Sequence, residues 1–205
     1  MIPFDHLARA FSEAYWENRD SSTPTQDPQG KQESPKERAI RRTRTRWKQE
    51  LTNRASEKRA IGAILPKWEE WAEKGPGALT YRITQILTGH VCFGEYLRRI
   101  GAERTASCHH CDAELDTAQH TLAECRAFEE PRGRLIAVIG RSLTPAAIVD
   151  AILTDDTRKE AVTMFCEEVI SLKEAAERDR EHSNPDRARK KKERRLSRRQ
   201  QNPRG

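Results

Sequence analysis

The chain has 205 residues, with 38 basic and 32 acidic side chains, six histidines, five cysteines and a net charge of +6. At 35% hydrophobic and 6% aromatic it is lean for one core spanning its whole length, so a compact centre with disordered ends is expected. No run of about 18 apolar residues exists, which excludes a membrane-spanning helix. The opening "MIPFDHLARAF" lacks the pattern of a signal peptide, so the cysteines are expected in a reducing compartment, where thiols bind metal or pack more often than they pair.

Charge is distributed in blocks. Residues 1–35 sum to −3, residues 36–59 to +7, residues 60–183 to −6 and residues 184–205 to +8. Concentrated positive blocks bind polyanions better than the same charge spread evenly.

In chain order, Ile2, Leu7, Phe11, Tyr15 and Trp16 predict an N-terminal helix over residues 1–18 with those side chains on one apolar face. Residues 19–35 are rich in Ser, Thr, Pro, Gln and Gly and read as a disordered linker. Residues 36–59 form a basic helical segment whose only sizeable apolar groups are Ile40, Trp47 and Leu51. A helix so polar all round is solvated, docked on a polyanion, or unstable alone.

Residues 60–182 are expected to form a helical domain. Ile61, Ile64, Leu65, Trp68 and Trp71 recur at helical spacing, with Trp68 and Trp71 in the core, and Pro66 breaks or starts a turn. The "GPG" at 75–77 is a stop. Residues 79–101 split into two helical segments at Gly89 and Gly94, with Gly101 as a C-cap. Pro131 and Gly140 bracket a short helix, and Thr144 with Pro145 begins the next. Asp155 and Asp156 suit the start of a long helix to residue 182, with Ala161, Val162, Phe165, Cys166, Val169, Ile170 and Leu172 as its apolar face. Beyond residue 173 that stripe fades, which predicts a helix running out into solvent. Residues 183–205 read as a disordered basic tail. Neither a repeat nor a strand is expected.

The stretch "CHHCDAELDTAQHTLAEC" carries the chemistry. Cys108, Cys111, His120 and Cys125 have the spacing C-x2-C-x8-H-x4-C, which suits four tetrahedral zinc ligands. A tight turn can present the first pair, and a helix capped by Asp116 or Thr117 the second. On an α-helix, however, His120 and Cys125 would lie about 140° apart, so Cys125 must sit where the helix ends or loosens. Buried free thiols or a disulfide are the alternatives. His109 and His110 compete as ligands, and His120 is preferred because adjacent ligands in a two-residue turn would be strained. Cys92 and Cys166 lie on apolar stripes and read as core thiols. The fold class is thus mainly α: a small helical domain with an embedded CCHC zinc knuckle, a disordered linker and a basic C-terminal tail.

Arg42, Arg44 and Arg46 precede Trp47, a combination that suits phosphate contact with base stacking. It suits equally a surface helix whose Trp47 packs inward. In the tail, Arg189, Lys190, Lys191, Lys192, Arg194 and Arg195 suit phosphate contact and a nuclear-import signal. His90 and Cys92 are two apart and would diverge on a helix, so no catalytic dyad is expected.

The segment "WEEWAEKGPGALTYRITQILTGHVCFGEYLRRIG" followed by "CHHCDAELDTAQHTLAEC" resembles the C-terminal end of insect non-LTR retrotransposon polyproteins, closest to the type-1 clade that inserts into ribosomal DNA repeats. There an "LTGHGCF…YL" segment precedes a CCHC knuckle with a "TAxHxxxxC" ending, and the resemblance covers residues 68 to 180. It implies that the segment follows a reverse transcriptase domain. It also implies that Cys108, Cys111, His120 and Cys125 form a zinc knuckle binding nucleic acid during target-primed reverse transcription. The polymerase's aromatic-x-Asp-Asp motif has no counterpart: Asp155–Asp156 follow Leu153 and Thr154, lie after the knuckle, and read as a helix N-terminus.

Zinc-dependent nucleic-acid binding is therefore the expected function, with no enzymatic activity. RNA or DNA is the expected partner, with the reverse transcriptase region of a parent polyprotein as another. The expected location is the nucleus or a cytoplasmic ribonucleoprotein, with no membrane contact. The alternative is a zinc-stapled protein-interaction module that does not touch nucleic acid.

Overall fold

A computed structural model describes residues 4–20, 25–26, 32–54, 58–74 and 79–183. The expected tail contacts, Arg189 to Lys192 with Arg194 and Arg195, lie outside the described residues, as do residues 21–24 and 27–31 of the expected linker. The chain divides into two compact units, Met1–Gly77 and Ala78–Gly205, so the break falls after the Gly-Pro-Gly stop. Among the described residues the class is mainly α, as expected, and no helix is long and apolar enough to cross a membrane.

The first unit is built on α1 (Phe4–Asp20) and α2 (Pro35–Asn53), which pack together. A capping box starts α2: Ser34 Oγ accepts the Glu37 N–H at 3.3 Å, and Glu37 Oε2 accepts the Ser34 N–H at 2.9 Å. The helix ends at Asn53, short of residue 59, and α3 (Arg59–Ile64) begins anew. Pro66 sits in a 3₁₀ turn, Leu65–Lys67, leading into α4 (Trp68–Lys74). A two-residue antiparallel pair, β1 (Thr25–Gln26) with β2 (Gln32–Glu33), lies where a strandless linker was expected. So short and polar a pair carries no hydrophobic alternation to read.

The predicted apolar face of α1 is corrected at Phe11, Tyr15 and Trp16, while Ile2 and the side chain of Leu7 lie outside what is described. Ala10 and Ala14 are buried with Ala39 of α2, whereas Phe11, Tyr15 and Trp16 are exposed. Small side chains let the two helices approach closely, and residues one position along point about 100° away from that seam.

The second unit is α5 (Tyr81–Thr88), α6 (Gly94–Arg99), the cysteine-histidine stretch, α7 (Glu129–Ile139), α8 (Pro145–Thr154) and α9 (Asp156–Ser183). Gly89 ends α5 in the left-handed conformation at φ 70°, which lets the chain turn toward α6. Helix α9 packs against α5, α7 and α8, and Ile86, Phe93, Leu122, Phe128, Leu135, Val149, Val162 and Ile170 fill the core. Each such side chain contributes about 1.5–3 kcal/mol by leaving water. Leu172, a member of the predicted apolar face of α9, is exposed, as is Tyr81 at the start of α5. Helix α9 also does not run out into solvent at residue 173, because Lys173 and Glu177 are buried.

Candidate metal centre

The chain turns tightly at the first cysteine pair. Cys108 donates its N–H to the Ala113 carbonyl at 2.8 Å, Asp112 donates to the Cys108 carbonyl at 3.0 Å, and Asp112 takes φ 61°. Backbone N–H groups near sulfur favour the thiolate: those of His110 and Cys111 at Cys108, that of Ala113 at Cys111 and that of Ala127 at Cys125.

The second pair sits on an irregular helix. Thr117 Oγ1 accepts the His120 N–H at 2.9 Å, which makes it the cap. Residues His120–Glu124 then form a π turn, and Cys125 leaves it at ψ 119°. The Cys125 N–H bonds the His120 carbonyl at 2.8 Å. The five-residue step expected to end or loosen a helix does both.

The structure brings Cys108, Cys111, His120 and Cys125 together, with all four ligand atoms within 4.8 Å of one another. Cys108 Sγ and Cys125 Sγ are 3.8 Å apart, and Cys111 Sγ and His120 Nε2 are 3.2 Å apart. A tetrahedral zinc ion would set these edges at about 3.8 Å between sulfurs and about 3.5 Å between sulfur and nitrogen. The donor set therefore fits a single tetrahedral ion.

The other histidines have different partners. His109 Nε2 lies 3.3 Å from Glu103 Oε1, and the His110 ring packs 5.0 Å from that of Phe128. Burial, then Lys173, pushes His110 down from its ordinary value. His90 lies against Tyr96 at 4.9 Å, while Cys92 is buried. Burial pushes the thiols of Cys92 and Cys166 up to about 12, as befits core cysteines.

Electrostatics at the cluster call for a cation. Burial pushes Cys125 up to about 12 and raises Cys108 as well. At Cys111 burial also acts upward, but hydrogen bonds from Ala113, Cys125, Cys108 and His120 outweigh it and bring it down to about 7. Three thiols in contact resist ionising together, and a divalent ion removes that repulsion.

Three supporting residues carried no metal-site signal in the sequence. Asp116 is buried, accepting the Gly94 N–H at 2.9 Å, the Thr121 hydroxyl at 3.2 Å and Lys173 Nζ at 2.8 Å. Lys173 thereby ties α9 to the helix bearing His120. Arg132 donates from Nε to the Leu122 carbonyl at 3.1 Å and from Nη2 to the Cys125 carbonyl, satisfying acceptors where the helix gives out. The pattern shows Asp116 only as a cap candidate and Lys173 only as a break in an apolar stripe.

In the other unit, Arg42 and Arg46 are exposed and Arg44 is half-buried. Trp47 is half-buried and packs edge-on against the buried Trp68, ring centres 5.0 Å apart.

No family model matches the chain, and no solved structure matches it. Over 92 residues it is 32% identical to a retrovirus-related Pol polyprotein from type-1 retrotransposable element R1 of Popillia japonica. That stretch is 44% of this chain and 34% of the polyprotein, so the chain spans about a third of that relative's length. The similarity supports a retrotransposon-related origin for a chain whose Cys108, Cys111, His120 and Cys125 can hold a metal ion.

Proposed function

We propose that the chain is a zinc-binding, nucleic-acid-binding protein derived from the C-terminal end of a retrotransposon polyprotein, without enzymatic activity of its own. The observation that carries it is the fit of Cys108, Cys111, His120 and Cys125 to one tetrahedral ion. Three thiolates and an imidazole favour zinc, which would cross-link the turn to the π-helical segment. Helix α2, with seven basic and two acidic residues, supplies a surface for phosphates. The basic residues after Ser183, Arg189 to Lys192 with Arg194 and Arg195 among them, suit further phosphate contact and nuclear import.

A second reading, a zinc-stapled protein-interaction module docking on a reverse transcriptase region, is favoured by the −6 charge of residues 60–183. An RNA-binding titration against salt separates the two. Nucleic-acid binding predicts affinity falling steeply with salt and further loss in Cys111→Ser. Absent or salt-insensitive binding supports the second reading.

A further inference from the structure

We infer that Phe11, Tyr15 and Trp16 of α1, with Lys36 and Arg19 beside them, form a stacking seat for the bases of single-stranded nucleic acid. This rests on the proposed nucleic-acid function and names the place and kind of strand it takes. The three aromatics are 45%, 64% and 53% exposed, on a helix whose buried residues, among those described, are Ala10 and Ala14. Single exposed apolar residues are ordinary, but Phe11 and Tyr15, four residues apart, share a helix face, and Trp16 on the flank meets Tyr15 edge-on with ring centres 5.4 Å apart. Phe11, Ala14, Tyr15, Ser34, Pro35 and Lys36 line a depression of about 300 Å³, with an apolar floor and a cationic lip.

The patch already holds positive charge over its rings. Lys36 Nζ lies 5.6 Å from the Phe11 ring centre, and the Arg19 guanidinium lies 5.4 Å from that of Trp16. Lys36 opens α2, whose seven basic residues against two acidic ones match a polyanion. Helix α1 itself carries four acids, Asp5, Glu13, Glu17 and Asp20, against Arg9 and Arg19, and Arg9 meets Glu13 at 3.6 Å, so the positive charge of the seat comes from Lys36, Arg19 and α2. Bases stack on aromatic side chains while cations take the backbone, and a duplex hides its base faces. Trp47, the aromatic nearest the arginines in sequence, is half-buried against Trp68, whereas Tyr15 and Trp16 are exposed.

The test is fluorescence anisotropy on the full chain with a labelled oligouridylate of about 20 nucleotides and a duplex of the same length. Tyr15→Ala/Trp16→Ala is expected to bind the single strand at least about tenfold more weakly, with duplex affinity and salt slope unchanged. Tyr15→Phe/Trp16→Phe is expected to retain most of the affinity. Lys36→Ala is expected to lower the salt slope by about one. If the wild-type chain binds the single strand and the double alanine variant matches it, the seat is wrong while the nucleic-acid function stands. If the wild-type chain binds neither strand, that function fails and the seat with it. If the double alanine variant leaves affinity intact but converts a dimer to a monomer in sedimentation, the patch is a protein interface and the inference is overturned.

Discussion

Cys125 donates its backbone N–H to the carbonyl of His120, five residues earlier, at 2.8 Å. That bond makes a π turn of what would otherwise be an α-helix. It cancels most of the divergence of about 140° that α-helical geometry would impose on the two side chains. The helix is loosened where both ligands must face one point, and it ends at the second of them.

Arg132 holds that ending in place through the carbonyls of Leu122 and Cys125. Arg132→Ala is expected to weaken metal affinity about 10–100-fold, the usual effect of removing a group that orients a ligand. Competition with a chromophoric chelator measures it. Arg132→Lys is expected to recover only part, because a single ammonium cannot reproduce the two-pronged contact.

The Lys173–Asp116 pair is buried at both ends, with Nζ 2.8 Å from Oδ2. Lys173→Met is expected to destabilise the second unit by about 3–5 kcal/mol, because it leaves a buried carboxylate without its cation. Adding Asp116→Asn is expected to cost less than the sum of the single changes, since the amide oxygen keeps an acceptor for the Gly94 N–H while its NH2 can donate to the Thr121 hydroxyl oxygen. Denaturant unfolding of the four species, read as a double-mutant cycle, checks this.

Two glycines are expected to respond in opposite directions. A Cβ on Gly94 would stand 2.5 Å from the Ala106 carbonyl oxygen, a backbone atom with little freedom to move. Gly94→Ala should therefore destabilise by about 1–3 kcal/mol, as overpacking does. A Cβ on Gly133, within α7, would meet nothing within 4 Å. Gly133→Ala should stabilise by up to about 1 kcal/mol through helix propensity. Thermal unfolding of both variants tests the pair.

Thiol chemistry after chelation should divide the cysteines. Burial raises Cys92 and Cys166 from an ordinary 9.0 to about 12, so their contribution to stability is present below pH 9 and is lost as pH rises toward 12. Cys111, lowered from 9.0 to about 7, contributes stability above pH 9 that is lost as pH falls through 7. Alkylation near neutral pH, followed by peptide mass spectrometry, should label Cys111 first and Cys92 and Cys166 last.

The sequence made the metal cluster legible because ligand spacing is a local property, and the step from His120 to Cys125 constrained the helix before any coordinates did. The long α9 and its Asp155 start were legible for the same reason: Asp155 Oδ1 accepts the Arg158 N–H at 2.8 Å. The face of α1 was not. Phe11, Tyr15 and Trp16 have apolar bodies, but the partner helix offers Ala39, so close approach selected Ala10 and Ala14. Lys173 was misread because periodicity counts a lysine as polar. Its burial depends on Asp116, 57 residues away, which no local pattern reveals.

The most direct test is the metal content of the purified, reduced chain by elemental analysis, with native mass spectrometry of variants. One zinc per chain is expected, kept in His109→Ala and lost in Cys108→Ser and Cys125→Ser. A folded wild-type chain carrying no metal, or one that keeps its zinc in Cys125→Ser, would contradict it.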